Sequence, residues 1–252
     1  MKFATIIYDK RDEIAIISLN RPKVLNAQNT QLNRDFLEAL KVSEKDDQIK
    51  VVILKGEGRA FCAGHDLSEE TESVTMNDVE TLQDITRTMV KMGKPIIAAV
   101  HGYALGAGCE WAMNCDIRIA AKGTKFGFPE TGVGLTVTNA GTKLLPLLIG
   151  LGRAKEMVFT NELIDAEHAE QWGLVNKVVP HDELEKVAID TAMKIVRNSS
   201  LAIWLSKTAL NQGSYQDFEQ TLELEARDVM IAATNAEATK RAKAALKEIK
   251  KT

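Results

Sequence analysis

Short apolar runs alternate with segments of helical period through the first two-thirds of this chain, and beyond about residue 181 helical period remains alone. Strands interleaved with helices and followed by a helical tail predict an α/β fold with a separate helical region. "FATIIYD" and "EIAIISLN", on either side of the charged turn "KRDE", read as a hairpin. "NTQLNRDFLEALKVSEKD" places Leu32, Phe36, Leu37 and Leu40 on one helical face, with Asn29 or Thr30 as N-cap. "KVVILKG" then reads as a buried strand and "VETLQDITRTMVKM" as a second amphipathic helix. "KPIIAAVHG" and "CDIRIAA" are two further strands, separated by a glycine stretch and a short helix, and "GLVNKVV" is the last. Four helices follow: "DELEKVAIDTAMKIVRN", "SLAIWLSKTALNQG", "DFEQTLELEARDVMIAAT" and "NAEATKRAKAALKEIKK". No repeat or low-complexity linker divides the chain.

At 252 residues the chain is long enough for a substantial core, as one large domain or a domain with an appendage. It is 45% hydrophobic and 27% charged, with a net charge of −3, which gives no reason to expect a nucleic-acid or anionic-lipid surface. Cys62, Cys109 and Cys115 lack metal-ligand spacing, and their odd number argues against a disulfide scaffold. They read as small buried residues in a reducing compartment. The opening "MKFATIIYDKRDEIAI" has no apolar core of a secretion signal, and no stretch approaches the length of a membrane span. A cytoplasmic protein is expected.

Chemistry concentrates in three stretches, "AFCAGHDL" (60–67), "GYALGAGCE" (102–110) and "FGFPETGVGL" (126–135). Each places glycine just after a strand, where backbone can approach a ligand closely. The second opens a helix, whose first N–H groups have no intrahelical partner and carry partial positive charge. Two such N–H groups converging from different loops form an oxyanion hole, and the amides of His65 and Ala107 are the candidate donors. Glycines after strands also serve as plain turns, and this spacing matches neither G-x-G-x-x-G nor the phosphate-binding loop. Glu110 sits in the first helical turn, where an anion is stabilised in any case. Glu130 follows Pro129 and would alone be a solvated loop charge. Together, beside bare amides, two carboxylates can divide the work of base and acid. Spacing does not establish that they meet.

Four blocks, "LNRPKVLNAQN", "GRAFCAGHDL", "AAVHGYALGAGCEWAMNCDIRIAA" and "KFGFPETGVGL", occur in the order and spacing of the enoyl-CoA hydratases of the crotonase superfamily, which the chain resembles. "GLGRAKEMVFTNELIDAEHAEQWGLVNKVVP" is similar to the segment that follows them, and the resemblance weakens after about residue 190. It implies a spiral of repeated β-β-α turns over 1–190, holding the coenzyme A and catalytic site. Residues 191–252 form a helical region for assembly into trimers or dimers of trimers. It implies an acyl-CoA thioester substrate, no further cofactor and no metal. The thioester oxygen falls to the His65 and Ala107 amides, water activation to Glu110, and proton delivery at C2 to Glu130. Lys23, Leu25, Ala63, Asp66, Leu67, Gly106 and Thr138 are assigned to substrate binding, Asp66 also as an anchor of the oxyanion loop.

Departures from the family pattern concern the acyl side. Where relatives often continue with "P-G-A-G-G", this chain has "LTVTNAGT", which leaves Thr138 and Asn139 where a glycine amide usually faces water. His65 replaces a frequent alanine. The acidic segment 68–80 falls where relatives line the acyl pocket, and the basic "KRAKAALKEIKK" where their C-terminal helices approach a neighbouring subunit's nucleotide. His101 reads as a strand-end residue, His168 and His181 as helix-surface positions, and Trp204 and Phe218 as packing residues at a subunit interface. Two alternatives remain open at this level, a Δ3–Δ2 enoyl-CoA isomerase working with one carboxylate, and a non-catalytic RNA-binding or scaffold relative.

Overall fold

The computed structural model describes residues 2–68 and 75–249. The chain starts with the antiparallel hairpin of β1 (Ile6–Arg11) and β2 (Ile14–Leu19), with Asp12 left-handed in the turn. Helix α1 (Thr30–Lys45) is capped by Asn29, whose side chain accepts from Leu32 N. Strand β3 (Val51–Gly56), helix α2 (Met76–Lys91) and strand β4 (Ile96–Val100) follow, α2 starting with a reciprocal Thr75–Asp78 capping box. Then come β5 (Tyr103–Leu105), α3 (Ala107–Asn114), β6 (Ile117–Ala121) and β7 (Lys125–Gly127). Helices α4 (Gly141–Ile149) and α5 (Leu151–Thr160) lead to β8 (Ile164–Asp165), α6 (Ala166–Trp172) and β9 (Lys177–Val179). The chain ends in α7 (Leu184–Val196), α8 (Ser200–Gly213), α9 (Phe218–Thr234) and α10 (Ala236–Ile249).

The large sheet has the order β1-β2-β3-β4-β6-β9 and is parallel from β2 onward; β5, β7 and β8 form a smaller sheet. Bridges Gln28↔His65 and Cys62↔Ala104 continue that small layer toward the N-terminal turns. Each turn of the resulting spiral leaves a large-sheet strand, passes through the small layer and enters a helix. The site therefore lies where successive turns cross between layers.

A parallel sheet covered on both faces must be apolar on both. Ala15, Ile17, Val52, Leu54, Ala98 and Val100 face one core, within which the Phe36 and Trp111 rings lie tilted against each other with centroids 4.9 Å apart. The alternate residues Ile14, Ile16, Val51, Ile53, Ile97 and Ala99 face a second core. Helix α7 covers that second face with Leu184, Ala188, Ala192 and Val196, spaced by four. The division expected near residue 190 thus falls inside α7, and the helices that leave the sheet begin with α8.

Helix α8 is tied back by Lys207, only 8% exposed. Its ammonium donates to Met89 O, Lys94 O and Asp116 Oδ2 at 3.2, 3.1 and 2.8 Å. Trp204 packs over Gly93, where a Cβ would lie 3.1 Å from the ring, while Phe218 is exposed. Replacing Lys207 by Met leaves Asp116 and two carbonyls without their cation. Breaking a buried pair from one side costs about 3–5 kcal/mol, and the partly exposed Asp116 places the expected loss near the lower figure. Urea unfolding of K207M measures it.

Candidate active site

Loop 57–68 leaves β3 and is clamped from below. The buried Asn26, itself left-handed at φ 56°, donates from Nδ2 to Glu57 O and Ala60 O. Arg21 pairs with Asp66 Oδ2 at 2.8 Å, and Asp66 Oδ1 accepts from the amide and hydroxyl of Ser68. The backbone bonds Ala63 N→Leu25 O, Gln28 N→Gly64 O and Asp66 N→Gln28 O complete the clamp. The His65 amide, in the midst of these, donates to no other described residue.

The second loop approaches it closely. Gly64 has φ 95°, and a Cβ there would lie 3.0 Å from Leu105 O and 3.8 Å from the Gly106 Cα. Gly106 has φ 50° and ψ −123°, a conformation that needs glycine, and ends at the first residue of α3. This brings the residues after the two glycines, His65 and Ala107, alongside each other. Ala107 N lies at the helix start, has no intrahelical partner, and donates to no other described residue.

Glu110 lies one turn into α3 and is 1% exposed. Its Oε1 accepts from Thr138 N and Asn139 N at 2.9 and 2.8 Å, and its Oε2 from Asn139 Nδ2 at 2.8 Å. Burial pushes its proton affinity above the usual carboxylate range, and these donors pull against that shift. Glu130 sits in the short 3-10 turn Pro129–Val133 after β7. Its Oε1 lies over Gly106, where a Cβ would come within 2.7 Å, and its Oε2 is buried without a described partner. Burial raises Glu130 to about 7, and the charge of Glu110 pushes the same way. The two acids therefore meet at one place, one well supplied with donors and the other with few.

The remaining expected residues differ in exposure and in hydrogen bonding. Ala63 is half-buried, Lys23 and Leu67 are exposed, and the Leu25 carbonyl is already committed to Ala63 N. Asp66, expected both among the substrate contacts and as an anchor of the oxyanion loop, spends both oxygens on Arg21 and Ser68 and so secures the loop. Thr138 contributes its amide while its side chain is exposed. Segment 68–80 lies partly outside the described residues, since 69–74 are not described; Thr75 onward begins α2. In the basic C-terminal stretch, Arg241 is engaged by Glu237 and Arg197 O, and residues 250–252 also lie outside the described part. His101 is buried with Nε2 2.9 Å from Gly58 O, whereas His168 is exposed beside its N-cap Asp165.

Two residues of the site carry no signal in the sequence. Gly141 leaves room for Glu110, whose Oε1 would be 2.7 Å from a Cβ there. Asn114 donates from one amide to both Glu110 O and Asn139 O. Asn139 stands out in the sequence only by its position, as a polar residue in an otherwise apolar and small run. A cavity of about 1060 Å³ between α2, α4 and α8 contains neither glutamate. Among the described residues no group of three or more His, Cys, Asp or Glu could hold a metal ion, and no helix is long and apolar enough to cross a membrane.

Two carboxylates beside undonated amides on a two-layer spiral define a site for acid–base chemistry on a carbonyl compound. The chain belongs to the enoyl-CoA hydratase/isomerase family, whose model matches residues 9–251. It is 41% identical over 232 residues to the short-chain-enoyl-CoA hydratase of Clostridium acetobutylicum, covering 89% of this chain and 88% of that one. It is 39% identical to the crotonyl-CoA hydratase of Syntrophomonas wolfei, covering 90% and 88%. The crystal structure of an enoyl-CoA hydratase from Bacillus anthracis superposes with a TM-score of 0.92 at 33% identity, over 97% of this chain and 96% of that one.

Proposed function

We propose that this protein adds water across the 2,3 double bond of an enoyl-CoA, reversibly forming the 3-hydroxyacyl-CoA. The observation that carries the reading is the meeting of Glu110 and Glu130 beside the undonated amides of His65 and Ala107. Those amides receive the thioester oxygen as it takes on enolate character, each donor worth roughly 3–4 kcal/mol at the transition state. Glu110, ionised, takes a proton from water as its oxygen bonds to C3. Glu130, protonated, gives its proton to C2. After one turnover the pair still holds one proton, now on Glu110, and exchange with water returns it to Glu130. No cofactor or metal enters this scheme, coenzyme A being part of the substrate. The names of the two relatives above favour a short acyl chain.

Because hydration and dehydration each need one proton on the pair, kcat/KM in both directions has the same bell shape. The upper limb is expected near pH 7, where the last proton leaves Glu130, and the lower limb where Glu110 takes one up. Rates measured from both sides of the equilibrium check this, and an upper limb absent through pH 9 would contradict it.

The reading itself is tested with a panel of 2-enoyl- and 3-enoyl-CoAs, following the absorbance of the conjugated thioester. Loss of conjugation from 2-enoyl substrates is expected. Reaction of 3-enoyl substrates alone would make the protein an isomerase instead. Self-association as a trimer or dimer of trimers belongs to the same proposal. It is supported by Phe218, Val229 and Met230 on α9 and by Leu147, Leu151 and Phe159 on α4 and α5, all more than half exposed. Light scattering measures the mass. A cytoplasmic location is proposed with it, in keeping with three buried free thiols.

A further inference from the structure

We propose that Asn139 is a positioning residue for Glu110, its side-chain amide orienting Oε2 so that a single acceptor position stays open for the water proton. This rests on the reading of Glu110 as the base and adds to it the group that keeps it so.

A carboxylate offers about four acceptor positions. Thr138 N and Asn139 N fill two on Oε1, and Asn139 Nδ2 fills one on Oε2. The Gly141 amide adds a further donor on the Oε1 side, and Oε2 accepts only from Asn139 Nδ2 among the described residues, so the open position lies on Oε2. Asn139 is itself held rigidly. It is 1% exposed, and its carbonyl accepts from Asn114 Nδ2 at 2.9 Å. The same Asn114 amide group donates to Glu110 O at 2.8 Å, fastening the turn to the helix that carries the acid. Ala140, left-handed at φ 63°, turns the chain so that Gly141 follows directly against Oε1. A smaller residue at 139 would keep both backbone donors and lose only the third.

That third donor distinguishes the two acids. Hydrogen bonds to an ionised carboxylate favour the ion. Glu110 has these three and the nearby Gly141 amide, while the buried Oε2 of Glu130 has none among the described residues. Base and acid are thus assigned by the turn 138–141 as well as by the glutamates.

The test compares wild type, Asn139→Ala and Asn139→Asp by NMR titration of 13C-carboxyl glutamate, with Glu110→Gln to assign the resonance. In N139A the Glu110 midpoint is expected to rise by roughly half to one pH unit, and in N139D, which puts a second acid beside it, further. The acid limb of kcat/KM should move by the same amount, with kcat down about tenfold and KM within about threefold. A folded N139A with an unmoved midpoint overturns the proposal, even if kcat falls, because packing alone would then explain the loss. If N139A does not fold, Asn139→Ser, too short to reach Oε2, takes its place under the same criteria. Should wild type hydrate nothing while the midpoint still moves, the positioning role stands and the hydratase reading fails.

Discussion

Glu130→Gln is expected to lose about 10²–10⁴-fold in kcat in both directions while gaining stability at alkaline pH. The loss follows from removing the proton carried to and from C2, a contribution of that order for general acids and bases. KM should change little, because the His65 and Ala107 amides are untouched. The stability gain has the opposite origin. A carboxyl whose folded pKa is raised binds its proton more tightly in the folded state than in the unfolded one. Stability is then fully present below the unfolded value of 4.5 and declines as pH rises toward about 7. A tenfold difference in proton affinity between the two states corresponds to about 1.4 kcal/mol, and partial exposure of Glu130 trims the total to about 2 kcal/mol. Gln does not titrate, so E130Q should melt with wild type at pH 4 and several degrees above it at pH 8. Parallel melts at the two pH values, with rates from both directions, measure the trade. Coincident melts at pH 8 would show that the carboxyl is solvated and not placed as described.

Glu110→Gln is expected to abolish hydration to a similar degree, by about 10²–10⁴-fold, with the fold intact. The hydrogen bonds explain why it should fold. Gln Oε1 can still accept from Thr138 N and Asn139 N. Its Nε2 then meets Asn139 Nδ2, donor against donor, but Asn139 Oδ1 is buried without a partner, so a rotation of the Asn139 amide restores the pair. What cannot be restored is a base for water. An isomerase working with Glu130 alone would survive this change, so the rate of E110Q on 3-enoyl-CoAs separates the two reactions. Retention of hydration within tenfold would remove Glu110 from the mechanism.

Much of this architecture was legible in the residues, for physical reasons. The hairpin, α1, β3, α2, β4, β6, β9 and the four C-terminal helices all carry a sustained period of two or of about 3.6, or a long apolar run. Strands β5, β7 and β8 have three residues or fewer and, unlike the equally short β9 within its apolar run "GLVNKVV", no flanking apolar run to mark them; they exist because the spiral brings neighbouring turns into register. Helix α4 starts after a left-handed alanine, has no side-chain cap and contains Pro146, so its local signals argue against a helix. The boundary expected near 190 lies within α7, because the period of α7 shows that it has an apolar face without showing that a sheet receives it.

The site divides in the same way. Glu110, Glu130 and the glycine loops stand out as residue types in unusual company. That Gly106 clears space for Glu130 and Gly141 for Glu110 depends on how turn 129–133 meets Gly106 and how turn 138–141 meets α3, which no local pattern records. Asp66 shows the converse. An acid in a glycine loop reads equally as a ligand contact or as a loop anchor, and only Arg21, far earlier in the chain, pairs with it to favour the anchor.

A crystal structure with a 3-hydroxyacyl-CoA bound reports most directly on where the thioester lies. Its carbonyl oxygen should sit about 2.7–3.1 Å from both His65 N and Ala107 N, with the C3 hydroxyl on Glu110 and C2 facing Glu130. A carbonyl seated elsewhere, or a C3 hydroxyl in contact with neither acid, would contradict the assignment.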